Sequence, residues 1–345
     1  MKNLIWIDEL LEWFESHKRK LPWRDNSSAY SVHVSEVMLQ QTRSETVIPY
    51  FHRFMNLFPD YQSLAIADEE ILMKSWEGLG YYSRVRNLQK AAREIIDRYD
   101  GEFPHSYGDA IAISGIGAYT AGAILSRAYH LPYASVDGNV LRVYTRLMAD
   151  ASDISKETTK KKIKEQMEIW MKGKDPSPFN ETWMEIGATI CLPSGTPKCE
   201  ECPLKNICLA HRKKEELFYP KKTKKTEQKV LEVTCVFYKI KERYLFFKKK
   251  DGVLKNLPSP YLFDRFMSED MLEEDAFNRN IRISRIIPLQ DKKHIFTHQI
   301  WLMKGYVIEC ENFDIEPSYA VDKSEIFNHL TLPTCFKKFI VDSNF

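Results

Sequence analysis

The chain has 345 residues, 43% of them hydrophobic and 28% charged, with a formal net charge of +2 and only 13 Gly and 16 Pro. This length admits two or three hydrophobic cores, and the composition excludes a disordered or collagen-like chain. The small net charge carries no nucleic-acid signal by itself, and no apolar run approaches the roughly 20 residues that span a bilayer.

Acids at Asp8 and Glu9 come too early for a signal peptide. An intracellular, cytoplasmic protein with no membrane partner is expected. In a reducing compartment its seven cysteines argue for metal ligation over disulfides.

In chain order, Leu4, Ile7, Leu10, Leu11 and Phe14 recur at helical spacing and predict an amphipathic opening helix. Further helices are predicted over roughly 30–42, 45–57, 68–76, 84–99, 107–113, 118–130, 139–149, 155–171 and 180–190, with Asp68, Asn139 and Ser155 at N-cap positions. This half shows no internal repeat and no strong strand alternation.

After Cys208 the character changes. His211 to Lys229 is basic, contains Pro220 and lacks apolar periodicity, as a linker does. Arg212-Lys213-Lys214, Lys221-Lys222, Lys224-Lys225 and Lys248-Lys249-Lys250 suit either solvated loops or a nucleic-acid partner. Val230 to Tyr238 and Tyr244 to Phe247 are β-branched and aromatic, as strands are. His294 to Ile308 is another strand candidate, and a short helix is predicted over 323–329. The pattern is an all-α half joined to a smaller α+β half.

Three stretches carry chemistry. Ser114-Gly115-Ile116-Gly117-Ala118-Tyr119-Thr120 reads as a tight hairpin opening a helix. Gly115 and Gly117 lack a Cβ, so the turn can take positive φ and present its N–H groups outward. Such a surface at a helix N-terminus suits a phosphate, although an ordinary helix–turn–helix connection has the same pattern.

An acid follows about twenty residues on, in Val136-Asp137-Gly138-Asn139, where Asp137 also fits an N-cap. On a helix, Glu36, Gln40 and Arg43 share one face, which a polar surface face would also produce. Finally, Cys191, Cys199, Cys202 and Cys208 give C-x7-C-x2-C-x5-C, which suits a tetrahedral zinc or a cubane iron–sulfur cluster. Zinc ribbons usually offer two Cys-x2-Cys knuckles, and this chain has one. Cys235, Cys310 and Cys335 lie outside the pattern and read as buried apolar residues.

Several of these runs occur in an order that resembles the A/G-specific adenine DNA glycosylases, the MutY family of the helix-hairpin-helix DNA glycosylases. They are Leu21-Pro22-Trp23-Arg24, Ser35-Glu36-Val37-Met38-Leu39-Gln40-Gln41-Thr42-Arg43, Gly78-Leu79-Gly80-Tyr81-Tyr82-Ser83-Arg84-Val85-Arg86, the glycine hairpin and the Asp137 run.

The resemblance implies an all-α helix-hairpin-helix glycosylase half with a [4Fe-4S] loop, joined to a smaller α+β Nudix-like C-terminal domain. The implied domains are a catalytic domain over 1–210 with the iron–sulfur loop at 191–208, a basic linker over 211–229, and an 8-oxoguanine recognition domain over 230–345.

Carried over residue by residue, Glu36 matches the family's catalytic acid and Asp137 its second carboxylate, while Tyr119 and Asn139 complete the site. Trp23, Arg24, Leu39, Glu181 and Met184 would line the adenine pocket. Gln41 and Tyr81 would fill or wedge the space near the mispair, and Gly115 and Gly117 would grip the DNA backbone.

Ser44 stands where the family has an apolar residue, and the first gap of the cysteine pattern is one residue longer than in the endonuclease III and MutY loop. Phe296-Thr297-His298 resembles the family's Phe-Ser-His tip, which inspects the damaged guanine. No Nudix catalytic box occurs, and Leu257-Pro258-Ser259-Pro260 replaces a Glu-Phe-Pro-like run.

The implied function is a monofunctional adenine DNA glycosylase, a nucleoid-associated monomer acting on duplex DNA with adenine opposite 8-oxoguanine or guanine. Glu36 would protonate the extruded adenine and Asp137 would stabilise the oxocarbenium-like sugar. Bifunctional relatives carry a nucleophilic lysine where this chain has Tyr119, and a phenol forms no Schiff base. An endonuclease III-like oxidised-pyrimidine glycosylase with lyase activity is therefore the weaker reading. A non-catalytic mismatch-binding protein is disfavoured by the two carboxylates.

Overall fold

The computed structural model describes residues 5–223, 228–249, 251–342 and 345. Leu4, Lys224, Lys225 and Lys250 of the runs above lie outside the described residues. The chain divides into two compact units, Met1–Asp68 with Tyr81–Lys224 and Glu69–Gly80 with Lys225–Phe345. Among the described residues no helix is long and apolar enough to cross a membrane.

In chain order the helices up to the cysteine loop are α1 (Ile5–His17), α2 (Pro22–Asp25), α3 (Ala29–Leu39), α4 (Ser44–Leu57), α5 (Tyr61–Ala65), α6 (Glu69–Ser75), α7 (Ser83–Tyr99), α8 (Tyr107–Ala112), α9 (Ala118–Tyr129), α10 (Gly138–Met148), α11 (Glu157–Met171), α12 (Pro176–Thr189) and α13 (Leu209–Lys213). Local chemistry starts them. Ser28 caps α3 by accepting the Ser31 N–H, and Asp60 and Ser63 form a capping box on α5. Asp175 caps α12 ahead of Pro176, whose fixed φ and missing N–H suit a first helical position. Beneath α1, α11 and α12, Trp6 meets Trp170 edge-on at 5.2 Å, and Trp170 stacks on Trp183 at 5.6 Å.

Several helix boundaries differ from the sequence reading, and the helix expected from 180 begins four residues earlier, at Pro176. The helix expected over 30–42 ends at Leu39, and Gln41 takes a left-handed φ of 59°. Glu36, Gln40 and Arg43 therefore do not share a helical face. The cause is Arg84 from α7, whose Nη1 donates to the carbonyls of Val37, Met38 and Gln40 and so satisfies the C-terminal acceptors of α3. Asn139 is not the N-cap of α10. Asp137 is, accepting the Val140 N–H at 2.8 Å. Nor does Ser155 cap α11, because its N–H and hydroxyl both turn back to Asp153 Oδ1 and the helix begins after Lys156.

The stretch expected as a linker from His211 begins as part of the helical unit. Tyr219 is buried there, its carbonyl accepts from Arg146 Nε at 3.1 Å, and Lys221 bridges to Asp153.

The second unit holds β1 (Lys229–Ile240), β2 (Arg243–Lys248), β3 (Pro258–Ser259), β4 (Tyr261–Phe263), β5 (Ile283–Ile295), β6 (Gln299–Cys310) and β7 (Tyr319–Asp322), with α14 (Glu269–Asn278), α15 (Ile326–His329) and α16 (Thr334–Ile340). The sheet runs β3-β2-β1-β6-β5, with β4 on β1 and β7 on β2. It is mixed, since β1 and β6 are parallel from Lys229↔Gln299 to Ile240↔Cys310 while β5 and β6 are antiparallel. The single strand expected over His294 to Ile308 is therefore the end of β5, a turn at Phe296 to His298, and most of β6. α6 belongs with this unit because Lys74 Nζ donates to the Leu330 carbonyl and Glu77 accepts the Leu332 N–H and pairs with Lys337 at 2.9 Å.

Within the helical unit α10 and α12 cross closely at Gly187, where an added Cβ would sit 2.5 Å from Asn139 Cβ. Overpacking of this kind costs about 1–3 kcal/mol. Gly187→Ala is expected to lower stability by that amount in urea unfolding of the full chain, and an unchanged midpoint would show that the two helices can separate freely.

Candidate active site

Glu36 lies on the third turn of α3 and is 3% exposed. Its carboxylate receives two donors from one neighbouring helix, α9. The Tyr119 hydroxyl donates to Oε2 at 2.6 Å, and Arg127 Nη1 donates to Oε1 at 2.9 Å. Burial pushes the Glu36 carboxyl up, and it outweighs the opposing pull of Arg127 and Tyr119. Asp137 and Glu181 add further upward pressure as nearby negative charges.

Asp137 enters from the N-terminus of α10. The residue is partly exposed, but protein surrounds its carboxyl, and burial pushes this group up as well. Against burial stand the Val140 N–H on Oδ1 and the Asn139 amide on Oδ2, both at 2.8 Å, together with the helix N-terminus. Asn139 is held in turn by Arg142 Nη2 at 2.9 Å, and the same guanidinium donates to the Gly187 and Cys191 carbonyls. Tyr119 feels both Glu36 and Asp137, and burial raises its phenol well above its ordinary range. The four residues inferred to act together are thus joined as two hydrogen-bonded pairs that bear on one another electrostatically.

Of the expected pocket residues, Trp23, Met184 and Glu181 touch the partners of Glu36. Trp23 is buried, packs edge-on against Phe51 at 5.5 Å, and gives its carbonyl to Arg127 Nη2 at 2.8 Å. Met184 Sδ lies 3.8 Å from the Tyr119 hydroxyl. Leu39 is half-buried at the end of α3, and Gln41 is exposed beside it. Tyr81 is 47% exposed at a positive φ of 48°, with the Arg84 guanidinium 5.6 Å from its ring centre. Phe296, Thr297 and His298 lie in the second unit, at the turn joining β5 to β6, with Phe296 edge-on to Trp301 at 5.0 Å.

Sequence reasoning named Arg24, Glu181 and Asp137 near Glu36 but missed Arg127, Arg19 and Glu185. Arg127, 3% exposed, bonds Glu36 and ion-pairs with Glu181 at 3.1 Å. Glu181 also binds Arg24, whose Nη2 reaches Glu185 at 2.8 Å, and Glu185 is bound by Arg19 Nε at 2.7 Å. Arg19 Nη1 donates to Ser44, which accounts for a hydroxyl where an apolar residue was expected. The signal for Arg127 was one arginine inside the otherwise small and apolar run from Ala121 to Tyr129.

The hairpin joins α8 to α9. The Ser114 N–H donates to Glu94 Oε2 at 2.8 Å and its hydroxyl to Oε1, which fixes the turn to α7. Gly115 takes a φ of 80°, but Gly117 is extended at −95°, so positive φ is needed at only one of the two. A Cβ at Gly117 would meet nothing within 4 Å, so this face of the turn is open.

Cys191, Cys199, Cys202 and Cys208 line one cavity with Arg146, Lys205 and His211, and no disulfide joins them. Arg146 Nη1 lies 3.2 Å from Cys191 Sγ, and Glu216 lies 3.6 Å from Cys199 Sγ and 2.6 Å from His211 Nδ1.

The helical unit thus sets a hairpin between helices, a buried carboxyl behind it and a second acid at the next helix N-terminus. The family model described as HhH-GPD superfamily base excision DNA repair protein matches residues 34–170, the span holding Glu36, the hairpin and Asp137.

An adenine DNA glycosylase of Buchnera aphidicola subsp. Baizongia pistaciae (strain Bp) is 33% identical over 340 residues, 97% of this chain and 94% of its own length. A Mus musculus adenine DNA glycosylase is 41% identical over 213 residues, 59% of this chain and 41% of its own. Among solved structures, a thermostable thymine-DNA glycosylase shares the fold with a TM-score of 0.55 at 24% identity, covering 61% of this chain and 96% of that one. The chain belongs to the adenine DNA glycosylase family.

Glu185 shows what the buried charges contribute to stability. Burial alone would raise its carboxyl, but the hydrogen bonds from Arg19 and Arg24 outweigh it and hold the group below its ordinary range. A depressed carboxyl stabilises the fold above its unfolded value of about 4.3, and that contribution is lost as pH falls through the folded value. Glu185→Ala is expected to cost about 1–3 kcal/mol at pH 7, because it removes a buried acceptor from Arg19 and Arg24, which keep Glu45 and Glu181. Acid titration of unfolding should be flatter below about pH 4.3 in Glu185→Gln than in the parent. Equal acid slopes would remove Glu185 from this role.

Proposed function

We propose that the chain is a monofunctional adenine DNA glycosylase that hydrolyses the N-glycosidic bond of adenine opposite 8-oxoguanine or guanine in duplex DNA. The observation that carries this reading is the buried Glu36 carboxyl, raised by burial and set beside Tyr119 and within electrostatic reach of Asp137. Family membership supports adenine as the base removed.

Adenine must leave the stack before any side chain reaches its glycosidic bond. Glu36, as the acid, gives its proton to a ring nitrogen of the extruded base. The carbon–nitrogen bond then breaks, its electron pair departs with the base, and the sugar is left cationic. Asp137 is suited to face that cation, because a helix N-terminus and two N–H donors favour its anion. Water adds to the sugar carbon and returns a proton to Glu36. Tyr119 and Asn139 orient the two carboxylates. No lysine stands at position 119, so base release stops at the abasic site.

The open hairpin face at Gly117, in the turn that Gly115 makes with its positive φ, would take a DNA phosphate. Trp23, Arg24, Leu39, Glu181 and Met184 would line the adenine pocket, with Gln41 and Tyr81 at the mispair. The second unit would be the Nudix-like reader of the opposing base, through Phe296, Thr297 and His298. The four cysteines suit a [4Fe-4S] cluster, since they share one cavity and remain unpaired. When bound, such a cluster cross-links the loop through four iron–thiolate bonds.

Single-turnover assays on duplexes with adenine opposite 8-oxoguanine, guanine or thymine test the reading. Excision is expected for the first two, and release from the thymine duplex at an equal rate would contradict it. Glu36→Gln is expected to slow excision by about 10²–10⁴-fold, the usual worth of a positioned acid, while retaining mispair binding. An unchanged rate would remove Glu36 as the acid. For the cysteines, purified protein is expected to be brown with absorbance near about 400 nm and to carry four irons per chain. Colourless protein holding one zinc would contradict the cluster.

A further inference from the structure

Arg127 is the least satisfied member of the charge network. Its Nη1 serves Glu36 and its Nη2 serves the Trp23 carbonyl, whereas its Nε is buried and has no hydrogen-bond partner among the described residues. That same Nε lies 3.1 Å from Glu181 Oε1, close enough for an ion pair but misaligned for a bond. A buried donor left this way costs about 1–3 kcal/mol, more when charged, and a small rotation toward Glu181 would recover it. Arg127 therefore stands between two carboxylates, fully bonded to one and incompletely to the other.

The two carboxylates need the guanidinium to different degrees. Glu181 already has Arg24 as a second cation. Among the described residues Glu36 has the Tyr119 hydroxyl besides Arg127. While Arg127 holds Oε1 it pulls Glu36 toward its anion, against the upward push of burial. A base seated against Glu36 needs that oxygen, or the proton on it.

We propose that Arg127 is a positioning residue that gates the acid: it holds Glu36 while the site is empty and passes to Glu181 when the base enters, which leaves the Glu36 proton free for the base. This rests on the glycosylase reading above. The proton moves from the carboxyl to the ring nitrogen and leaves on the free base, and the water that adds to the sugar restores one to Glu36.

Other charges around Glu36 do not duplicate this role. α9 contributes Tyr119 beside Arg127, α10 contributes Asp137 at its N-cap, and α12 contributes Glu181. α2 contributes Arg24, which acts through Glu181, and Arg84 of α7 is bound to the end carbonyls of α3. The charged groups of α4, Glu45, His52 and Arg53, are exposed. Of these, Arg127 and Tyr119 pull Glu36 toward the anion, and both acids push it the other way.

The test is the pH profile of single-turnover excision of adenine opposite 8-oxoguanine, at subsaturating duplex for the variants and at both subsaturating and saturating duplex for the parent. The parent's alkaline limb is expected at higher pH on saturation, and equal limbs would overturn the gate. The alkaline limb reports loss of the proton from the acid. Arg127→Met removes a group that favours the anion, so the limb is expected to move to higher pH. Glu181→Gln removes both a repelling charge and the alternative partner, so the limb is expected to move to lower pH. Arg127→Lys keeps the charge and is expected to return the limb toward that of the parent.

A general structural defect would lower rates across the profile without moving the limbs in opposite directions. Limbs that stay in place, or that move the same way in Arg127→Met and Glu181→Gln, would overturn the proposal. If Arg127→Met fails to fold, the Glu181→Gln shift decides alone, and a limb moving to higher pH would be contrary. A parent protein that releases no adenine would overturn the proposed function itself. A parent that excises adenine with unmoved limbs overturns only this inference.

Discussion

The structure depends on keeping a carboxyl group out of water at Glu36. A solvated glutamate would be ionised at neutral pH and useless as an acid, so α3 buries it and α9 lies across it. The cost of burial is contained by two donors from one helix, Tyr119 near its start and Arg127 two turns on. Because both come from α9, the helix that the hairpin opens, the element suited to grip a phosphate is continuous with the one that tunes the acid. Glu94 adds a third tie by holding Ser114 to α7.

The buried charges form an alternating series: Arg19, Glu185, Arg24, Glu181, Arg127 and Glu36. Each inner member has two partners of opposite charge, Arg19 at the outer end is one-third exposed and also reaches Glu45, and Glu36 at the inner end takes Arg127 as its cation. Such a series is a poor source of net stability compared with apolar packing, but it restricts where each charge can sit. A parallel arrangement on α10 uses Arg142 and Arg146 to tie Asn139, the Gly187 carbonyl and the Cys191 and Leu192 backbone together. The site is held by guanidinium groups whose planar forks satisfy several acceptors at once.

Much of this was legible in the sequence, for reasons that differ by residue. Glu36, Tyr119, Asp137 and the cysteines sit in short runs whose residue types are tied to chemistry, so the family likeness located them before any coordinate. The helical half followed from apolar spacing. Where helices stop was not legible at Gln40 and Gln41, because α3 ends on a side chain from α7, about 45 positions away. Arg127 was hidden for a related reason: an isolated arginine on an apolar helix reads as a surface residue unless its distant carboxylate partners are known. The grouping of Glu69–Gly80 with the second unit was equally invisible, since it rests on Lys74 and Glu77 meeting residues beyond 325.

The central claim is that burial keeps a proton on Glu36 above the range of an ordinary carboxyl. Infrared difference spectroscopy of the parent against Glu36→Gln, titrated from pH 4 to 8, measures this directly through the carbonyl stretch of the protonated acid. The account expects a carboxylic acid band assigned to Glu36 that persists well above about pH 4.3, the ordinary glutamate value. A band already lost at or below that pH would contradict it.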